Sequence, residues 1–124
     1  MPTLKIVRHG THFTIGVKHF EAATVISVFG LPIGWEMAGI DANIARVVPE
    51  GWDTVVFDFS RCDFADSSLL GVVRTYWEET EIDRGRRVII VAAPETTMHE
   101  KLILTGISKR VAVHPTLDDA LRML

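Results

Sequence analysis

Two short, almost unbroken apolar runs constrain the fold of this 124-residue chain more than any other feature. They span residues 54–59 and 88–92, and each precedes a stretch with the apolar spacing of a helix. A strand that is apolar along its whole length is typical of a sheet covered on both faces, because a half-exposed strand alternates apolar and polar residues. Such strands alternating with helices predict an α/β domain with parallel strands.

Less regular patterns of apolar residues predict the remaining strands and helices. The further predicted strands are residues 13–17, 23–29 and 111–113, and the predicted helices are residues 35–48, 67–83, 94–105 and 117–123. The first ten residues fit either an edge strand or an arm. We therefore predict one α/β domain over residues 1–124. Its mixed sheet consists of an N-terminal hairpin plus parallel strands, with about four helices in the order ββαβαβαβα.

Composition limits the partners and the compartment. Thirteen Lys and Arg residues against sixteen Asp and Glu residues give a net charge of −3, which argues against nucleic acid as a partner. A single cysteine excludes an internal disulfide and fits a reducing compartment. The sequence has neither an apolar stretch near the length of a membrane span nor a signal-peptide pattern at its start. We expect a cytoplasmic protein with no membrane span.

The densest polar segment, residues 58–68, lies between a predicted strand and a predicted helix. This places it at the edge of the sheet where α/β proteins usually carry their functional groups. Asp66, Ser67 and Ser68 are residue types that commonly cap helices, and capping alone is the simplest interpretation. The alternative is a functional serine. A phosphate there would add a charge of about −1.5 to −2 beside Asp66, and would change the surface far more than the interior.

Several residues have a catalytic interpretation beside a structural one. Asp58 could bind a metal, accept a phosphate, or hydrogen-bond the loop that follows it. A small metal-dependent enzyme would use Asp58, Asp63 or Asp66. Cys62 is either a reactive thiol or a structural one. The five histidines are scattered, and the glycines form no nucleotide-binding motif. We expect no catalytic residue, no metal and no cofactor.

The segment from Val55 to Val72 resembles the signature of the STAS domain. This family comprises the anti-sigma factor antagonists and the cytoplasmic domains of sulfate transporters. The resemblance lies in an apolar strand that ends in Asp-x-Ser, followed by Asp-Ser-Ser at the start of a helix. Residues 85–92, 104–107 and 116–121 also resemble the family's later elements, so the resemblance covers about residues 54–124.

The resemblance implies a regulatory protein that works by partner switching. Ser67 is then the phosphoacceptor, with Ser68 as the alternative. The implied partners are a serine/threonine kinase that also acts as an anti-sigma factor, or another STAS partner, and a PP2C-like phosphatase that resets the switch; a homodimer is a further alternative. The implied docking residues are Asp58, Asp63, Asp66, Ser67, Ser68, Leu69 and Leu70.

Two departures from the family pattern support a second hypothesis, a phosphorylation-independent scaffold or transport-accessory module. Leu69 replaces the glycine that usually follows Asp-Ser-Ser, and is expected to add bulk beside Ser67. Residues 30–33 lack the acid of the usual Gly-x-Leu-Asp. The helix at residues 67–83 also carries two adjacent apolar stripes. Either part of this surface waits for a partner, or the stripe is broad and buried, or the N-terminal arm covers it.

Overall fold

A six-stranded mixed sheet organises the chain, as seen in a computed structural model that describes residues 2–124; Met1 lies outside the described residues. The strands are β1 (Lys5–His9), β2 (Phe13–His19), β3 (Thr24–Gly30), β4 (Thr54–Cys62), β5 (Arg87–Val91) and β6 (Ala112–His114). They lie side by side in chain order. The first three strands are antiparallel to one another, and β3 to β6 run parallel.

Four α-helices connect or follow these strands within the described residues. They are α1 (Ile40–Val47), α2 (Ser67–Ile82), α3 (Thr97–Leu104) and α4 (Leu117–Leu121). Two 3-10 turns are added, Trp35–Met37 and Ile107–Lys109. The predicted α/β class, with a mixed sheet and four helices, is confirmed. Because residues 5–9 form β1 at one edge of the sheet, the observed order begins with three strands instead of two.

The two faces of the sheet bury cores of different size. Helices α1, α2 and α3 pack on one face, where the larger core takes in Val55 and Phe57 of β4. On the other face α4 covers a smaller core that takes in Val56. Successive residues of β4 point to opposite faces, so Val55, Val56 and Phe57 each enter a core. This double burial explains the unbroken apolar run in the sequence.

The predicted helix over residues 35–48 is divided in the structure. A 3-10 turn at Trp35–Met37 is followed by Gly39 in the left-handed region, with φ of 76°, and α1 begins only at Ile40. A left-handed residue interrupts an α-helix, and glycine adopts that conformation without a Cβ penalty. Met37 and Ile44 are both buried. The helical spacing therefore continues across a break that the spacing itself cannot reveal.

Among the element boundaries that differ from the prediction, those of β4 and α3 have a clear physical cause. β4 continues to Cys62, beyond the predicted end of the strand, because its last residues stay paired with β3. α3 begins at Thr97 instead of Pro94, because Thr96 acts as the N-cap and its Oγ1 accepts the His99 backbone N–H at 3.1 Å.

Arg8 ties the edge strand β1 to the segment between β3 and α1. Its guanidinium donates to the backbone carbonyls of Glu36, at 2.6 Å, and Ala38, at 3.0 Å. The same group also donates to the side-chain oxygen of Asn43 in α1. A planar guanidinium can serve several acceptors at once. The Arg8 side chain therefore fixes the 3-10 turn to the edge strand β1.

The double apolar stripe of α2 is a broad buried stripe. Leu69, Leu70, Val72, Val73 and Tyr76 are all buried. Trp77 is half-buried and packs against the same core. The stripe is therefore mostly covered by the core, and Trp77 keeps part of its surface exposed.

Candidate functional site

The candidate site is the turn from β4 into α2. Asp66 is the N-cap of α2, and its Oδ1 accepts the backbone N–H of Ser68 at 3.0 Å. This bond satisfies one of the free N–H groups that every helix start leaves. Ser67 and Ser68, the first two residues of the helix, are both exposed. The carboxylate thus fixes the turn and leaves two serine side chains accessible from solvent.

The second carboxylate oxygen of Asp66 makes a contact that links two loops. Asp66 Oδ2 accepts the backbone N–H of Gly34 at 3.1 Å, across 32 positions of sequence. Gly34 has φ of 84°, a conformation that side-chain-bearing residues rarely adopt. Asp66 therefore holds the segment after β3 against the start of α2.

This contact brings an exposed apolar pair to the site. Ile33 and Trp35 flank Gly34, and Trp35 is 87% exposed. An exposed tryptophan is uncommon on a surface without a partner, because large aromatic side chains gain most from burial. The sequence motifs do not predict these two residues as part of the site. Their sequence signal is two large apolar residues on either side of a glycine, directly after a strand.

Asp58 lies on the other face of the sheet. It pairs in register with Ser27 of β3 and Val91 of β5, and Val91 belongs to the smaller core. Its Oδ1 accepts the backbone N–H of Ser60 at 3.0 Å. Ser60 still lies within β4, where the register against β3 shifts, so the carboxylate bonds an irregular stretch of its own strand and not the loop that follows. Ser27 beside it has a buried hydroxyl without a hydrogen-bond partner among residues 2–124.

Asp63 stands closer to the Asp66 turn. Its side chain is exposed, and its backbone N–H donates to the carbonyl of Gly30 at 2.8 Å, joining the ends of β3 and β4. Within the described part of the chain, the acidic, histidine and cysteine side chains form no group of three or more suited to holding a metal ion. Asp58, Asp63 and Asp66 accordingly do not converge on one point.

Leu69 and Leu70 belong to the core and not to an exposed docking surface. Leu69 is fully buried and Leu70 nearly so. Two expectations are thereby corrected: neither leucine lies on the exposed surface of the turn, and Leu69 adds no bulk on the surface beside Ser67. The reason is the helical period, which turns position 69 towards the sheet while positions 67 and 68 face solvent.

Cys62 is a buried thiol at the end of β4. The pKa of Cys62 is raised to about 12, chiefly by burial; a backbone hydrogen bond from Phe64 opposes the rise, and the negative charge of Asp63 adds to it. The thiolate is the nucleophilic form of cysteine, so this side chain is inert near neutral pH. Of the two interpretations of Cys62, the structure favours the structural one.

The fold and the site together define an α/β domain with a mixed sheet whose candidate site is a surface turn. An open mixed sheet presents an exposed, capped serine pair at a strand-to-helix turn. No helix among residues 2–124 combines the length and apolarity that crossing a bilayer requires.

The family model of the STAS domain matches residues 17–120. The chain belongs to the STAS domain family.

Solved structures of anti-sigma factor antagonists are similar to this chain. An anti-sigma factor antagonist from Mycobacterium paratuberculosis has 27% sequence identity and a TM-score of 0.76, with 94% of this chain and 97% of that one covered. The anti-sigma factor antagonist SpoIIAA in its unphosphorylated form has 23% identity and a TM-score of 0.68, with 86% and 92% covered. The phosphorylated form of the Bacillus cell-fate determinant SpoIIAA has 23% identity and a TM-score of 0.61, with 98% of each chain covered. No curated protein sequence matches the chain.

Proposed function

We propose that this STAS domain is an anti-sigma factor antagonist that works by partner switching, with Ser67 as its phosphoacceptor. Its partner is a serine/threonine kinase that also acts as an anti-sigma factor, and a PP2C-like phosphatase removes the phosphate. The observation that carries the proposal is the exposed Ser67 at the start of α2, beside a helix cap that does not use its hydroxyl. The similarity to the mycobacterial anti-sigma factor antagonist supports the same role.

The position of Ser67 suits a switch that leaves the fold intact. Backbone N–H groups at a helix start attract an anion, so the domain tolerates a phosphate there. A partner seated on the same turn meets about −1.5 to −2 of added charge next to the Asp66 carboxylate. Repulsion and desolvation then weaken docking, whereas the core beneath, which begins at Leu69, is unchanged.

The proposed docking surface consists of the start of α2 together with the segment that Asp66 holds against it. It comprises Ile33, Trp35, Asp63, Asp66, Ser67 and Ser68. Trp35 supplies the apolar area that the charged and hydroxyl side chains lack, and tryptophan is enriched among residues that dominate binding energy. Where the family pattern has an acid, this chain has Ile33. We therefore expect its partner to offer an apolar pocket at that point instead of a cation.

The test is phosphorylation of the purified chain by candidate kinases of the anti-sigma factor class with ATP, followed by mass spectrometry of the modified peptide. We expect one phosphate on Ser67 and none on the Ser67→Ala variant, while Ser68→Ala is still modified. Phosphate on Ser68 alone would move the acceptor by one residue. The absence of both phosphate and tight kinase binding would reject the proposal.

A second candidate function is a phosphorylation-independent scaffold or transport-accessory module. The observation that favours it is the apolar Ile33–Trp35 segment in place of the family's acid. Capture of partners by the wild type and by Ser67→Asp separates the two functions. A switch loses its partner in Ser67→Asp, whereas a scaffold retains it with equal affinity.

A further inference from the structure

A groove of about 640 Å³ runs between α2 and the segment from α3 to β6, and Ser67 lies among the residues that line it. Its apolar lining consists of Leu70, Val73, Trp77, Ile107 and Val111. A volume of this size falls within the range of sites for small organic ligands, about 300–1,000 Å³. The groove is separate from the Ile33–Trp35 segment, which does not contribute to it.

The charged residues of the groove all have one sign. Arg74, Lys101, Lys109 and Arg110 line it, and none of its lining residues within the described chain is acidic. Arg74 is paired with Glu78 at 3.2 Å, but the ion pairs found among residues 2–124 include no other groove cation. This is unusual in a chain whose net charge is −3. An anion in the groove would therefore meet uncompensated positive charge.

Two of these cations are positioned by aromatic rings. Lys101 Nζ lies 4.0 Å from the centre of the Phe64 ring, and the guanidinium carbon of Arg110 lies 5.4 Å from the centre of the Trp77 ring. Contacts of this kind orient a cation without neutralising it. Both charged groups thus remain available to an anionic ligand.

Gly71 contributes open space to the groove. It lies inside α2, where glycine weakens a helix, and its φ is not in the left-handed region. A Cβ at this position would meet nothing within 4 Å. Neither backbone conformation nor close packing therefore requires glycine here. Because Gly71 has no side chain, the groove is wider at this position.

We propose that this groove binds a small organic anion, a carboxylate or phosphate carried on an apolar or aromatic body. The apolar lining and Trp77 receive the body, and Lys101 and Arg110 receive the anionic group. Because Ser67 also lines the groove, negative charge on that residue opposes binding of the anion. By reciprocity, a bound anion disfavours charge on Ser67 to the same extent.

The test uses 2-naphthoate and 1-naphthyl phosphate as probes, and the uncharged 2-naphthamide as their size-matched control. Titration of the isotope-labelled, unphosphorylated chain is followed by NMR. We expect saturable binding of the anions below about 5 mM, which a ligand of about 13 non-hydrogen atoms reaches at ordinary ligand efficiency. The largest shifts are expected at the amides of Gly71 and Gly106, which both line the groove.

Variants then locate the site. Lys101→Gln and Arg110→Gln are each expected to weaken anion binding about tenfold, the effect of losing one charged hydrogen bond. Arg84→Gln, an exposed cation outside the groove, is the control and leaves binding unchanged. Gly71→Phe fills the groove and abolishes binding, whereas Gly71→Ala largely preserves it. Circular dichroism and melting curves establish that each variant is folded.

Charge at the serines gives an independent readout. Ser67→Glu is expected to weaken anion binding several-fold, and Ser68→Glu to do so less, because Ser68 is not among the groove residues. The proposal is overturned if neither anion binds saturably, if 2-naphthamide binds as tightly, or if the shifts fall outside the groove. Shifts of the groove amides with an acidic protein partner but not with the naphthyl anions overturn it as well. Since no kinase is used, this result and that of the phosphorylation test are independent.

Discussion

Asp66 and Gly34 are joined by a hydrogen bond between the carboxylate Oδ2 and the Gly34 backbone N–H, 3.1 Å long. The other oxygen of the same carboxylate caps α2 through the Ser68 N–H. One side chain therefore fixes both the helix start that carries Ser67 and the segment that carries Trp35. The two parts of the proposed docking surface depend on each other through this residue.

Asp66→Ala removes both bonds and Asp66→Asn removes one. Asparagine is as good an N-cap as aspartate, but its amide has a single acceptor oxygen. We expect Asp66→Ala to lower the free energy of unfolding by about 1–2 kcal/mol and Asp66→Asn to lower it by less. Urea denaturation measures both values. Equal losses in the two variants would contradict the two separate roles of the carboxylate.

The same pair of variants tests whether the cap and the loop are coupled. In Asp66→Asn the Gly34 amide is expected to lose its partner, with an upfield NMR shift and faster hydrogen exchange, while the Ser68 amide changes little. Partner binding then falls although the serine pair is unaltered. An unchanged Gly34 amide would contradict this expectation.

Replacing glycine by alanine is expected to change the free energy of unfolding in opposite directions at Gly71 and Gly39. Gly71→Ala is expected to raise the free energy of unfolding by about 0.5–1 kcal/mol, because it removes the helix penalty of glycine in a helical conformation with free space. Gly39→Ala is expected to lower it by about 1–2 kcal/mol, because φ at Gly39 is 76°. A Cβ at Gly39 has only ordinary contact with Arg8, at 3.7 Å, so the cost lies in the backbone. Equal signs for the two changes would refute this explanation.

Trp35→Ala tests the docking surface without disturbing the fold. Its 87% exposure predicts a change in the free energy of unfolding within about 0.5 kcal/mol. Partner affinity is expected to fall by about 2 kcal/mol or more, roughly thirtyfold, as for the aromatic centre of an interface. Isothermal titration calorimetry with the kinase partner measures the loss.

Ile82→Ala is the matched control for Trp35→Ala. Ile82 is 88% exposed, and it ends α2, which places it about 22 Å along the helix from Ser67. We expect this variant to bind the partner with wild-type affinity. Equal losses in both variants would place the interface elsewhere.

Because the pKa of Cys62 is raised in the folded chain, the free energy of unfolding is expected to fall as the pH becomes alkaline. The unfolded thiol ionises near pH ~8.5, whereas burial raises the pKa of Cys62 in the folded chain to about 12. Below the unfolded pKa the contribution to stability is complete. Between the two values the unfolded state loses a proton that the folded state keeps, so the free energy of unfolding falls by up to about 1.4 kcal/mol per pH unit.

The Cys62→Ala variant isolates this effect. Its urea midpoint should fall less steeply above pH ~8.5 than that of the wild type. Tyr76, whose pKa is also raised by burial, adds a slope of the same sign at higher pH in both proteins. At neutral pH, iodoacetamide should label wild-type Cys62 only after unfolding in urea. Rapid labelling of the folded chain would show that the thiol is accessible.

Elements that depend on local chemistry were predictable from the sequence. The double-faced burial of β4 and β5 follows from their unbroken apolar runs, and the caps at Asp66 and Thr116 follow from residue type and position. The length of α2 also agrees with its pattern. Each of these features is decided within a few neighbouring residues.

The remaining parts of the site depend on contacts between distant residues. The Asp66–Gly34 bond spans 32 positions, and no local pattern indicates it. The face taken by Asp58 depends on the register of β4 against its neighbours, and a shift of one residue would reverse it. The burial of Leu69 depends in the same way on how α2 is rotated on the sheet. Sequence reasoning therefore placed the serine pair at the helix start but did not predict the surface around it.

The strands of this sheet lie in space in the order in which they occur in the chain. Every strand after the first consequently finds its hydrogen-bonding neighbour already synthesised, and no strand has to insert between two others. During translation the sheet can grow at one edge, with the antiparallel strands first and each parallel strand after its crossover helix. The Asp66–Gly34 bond joins the segment that follows β3 to the start of α2, so it can form only after β4, which lies between them in the chain, has been synthesised.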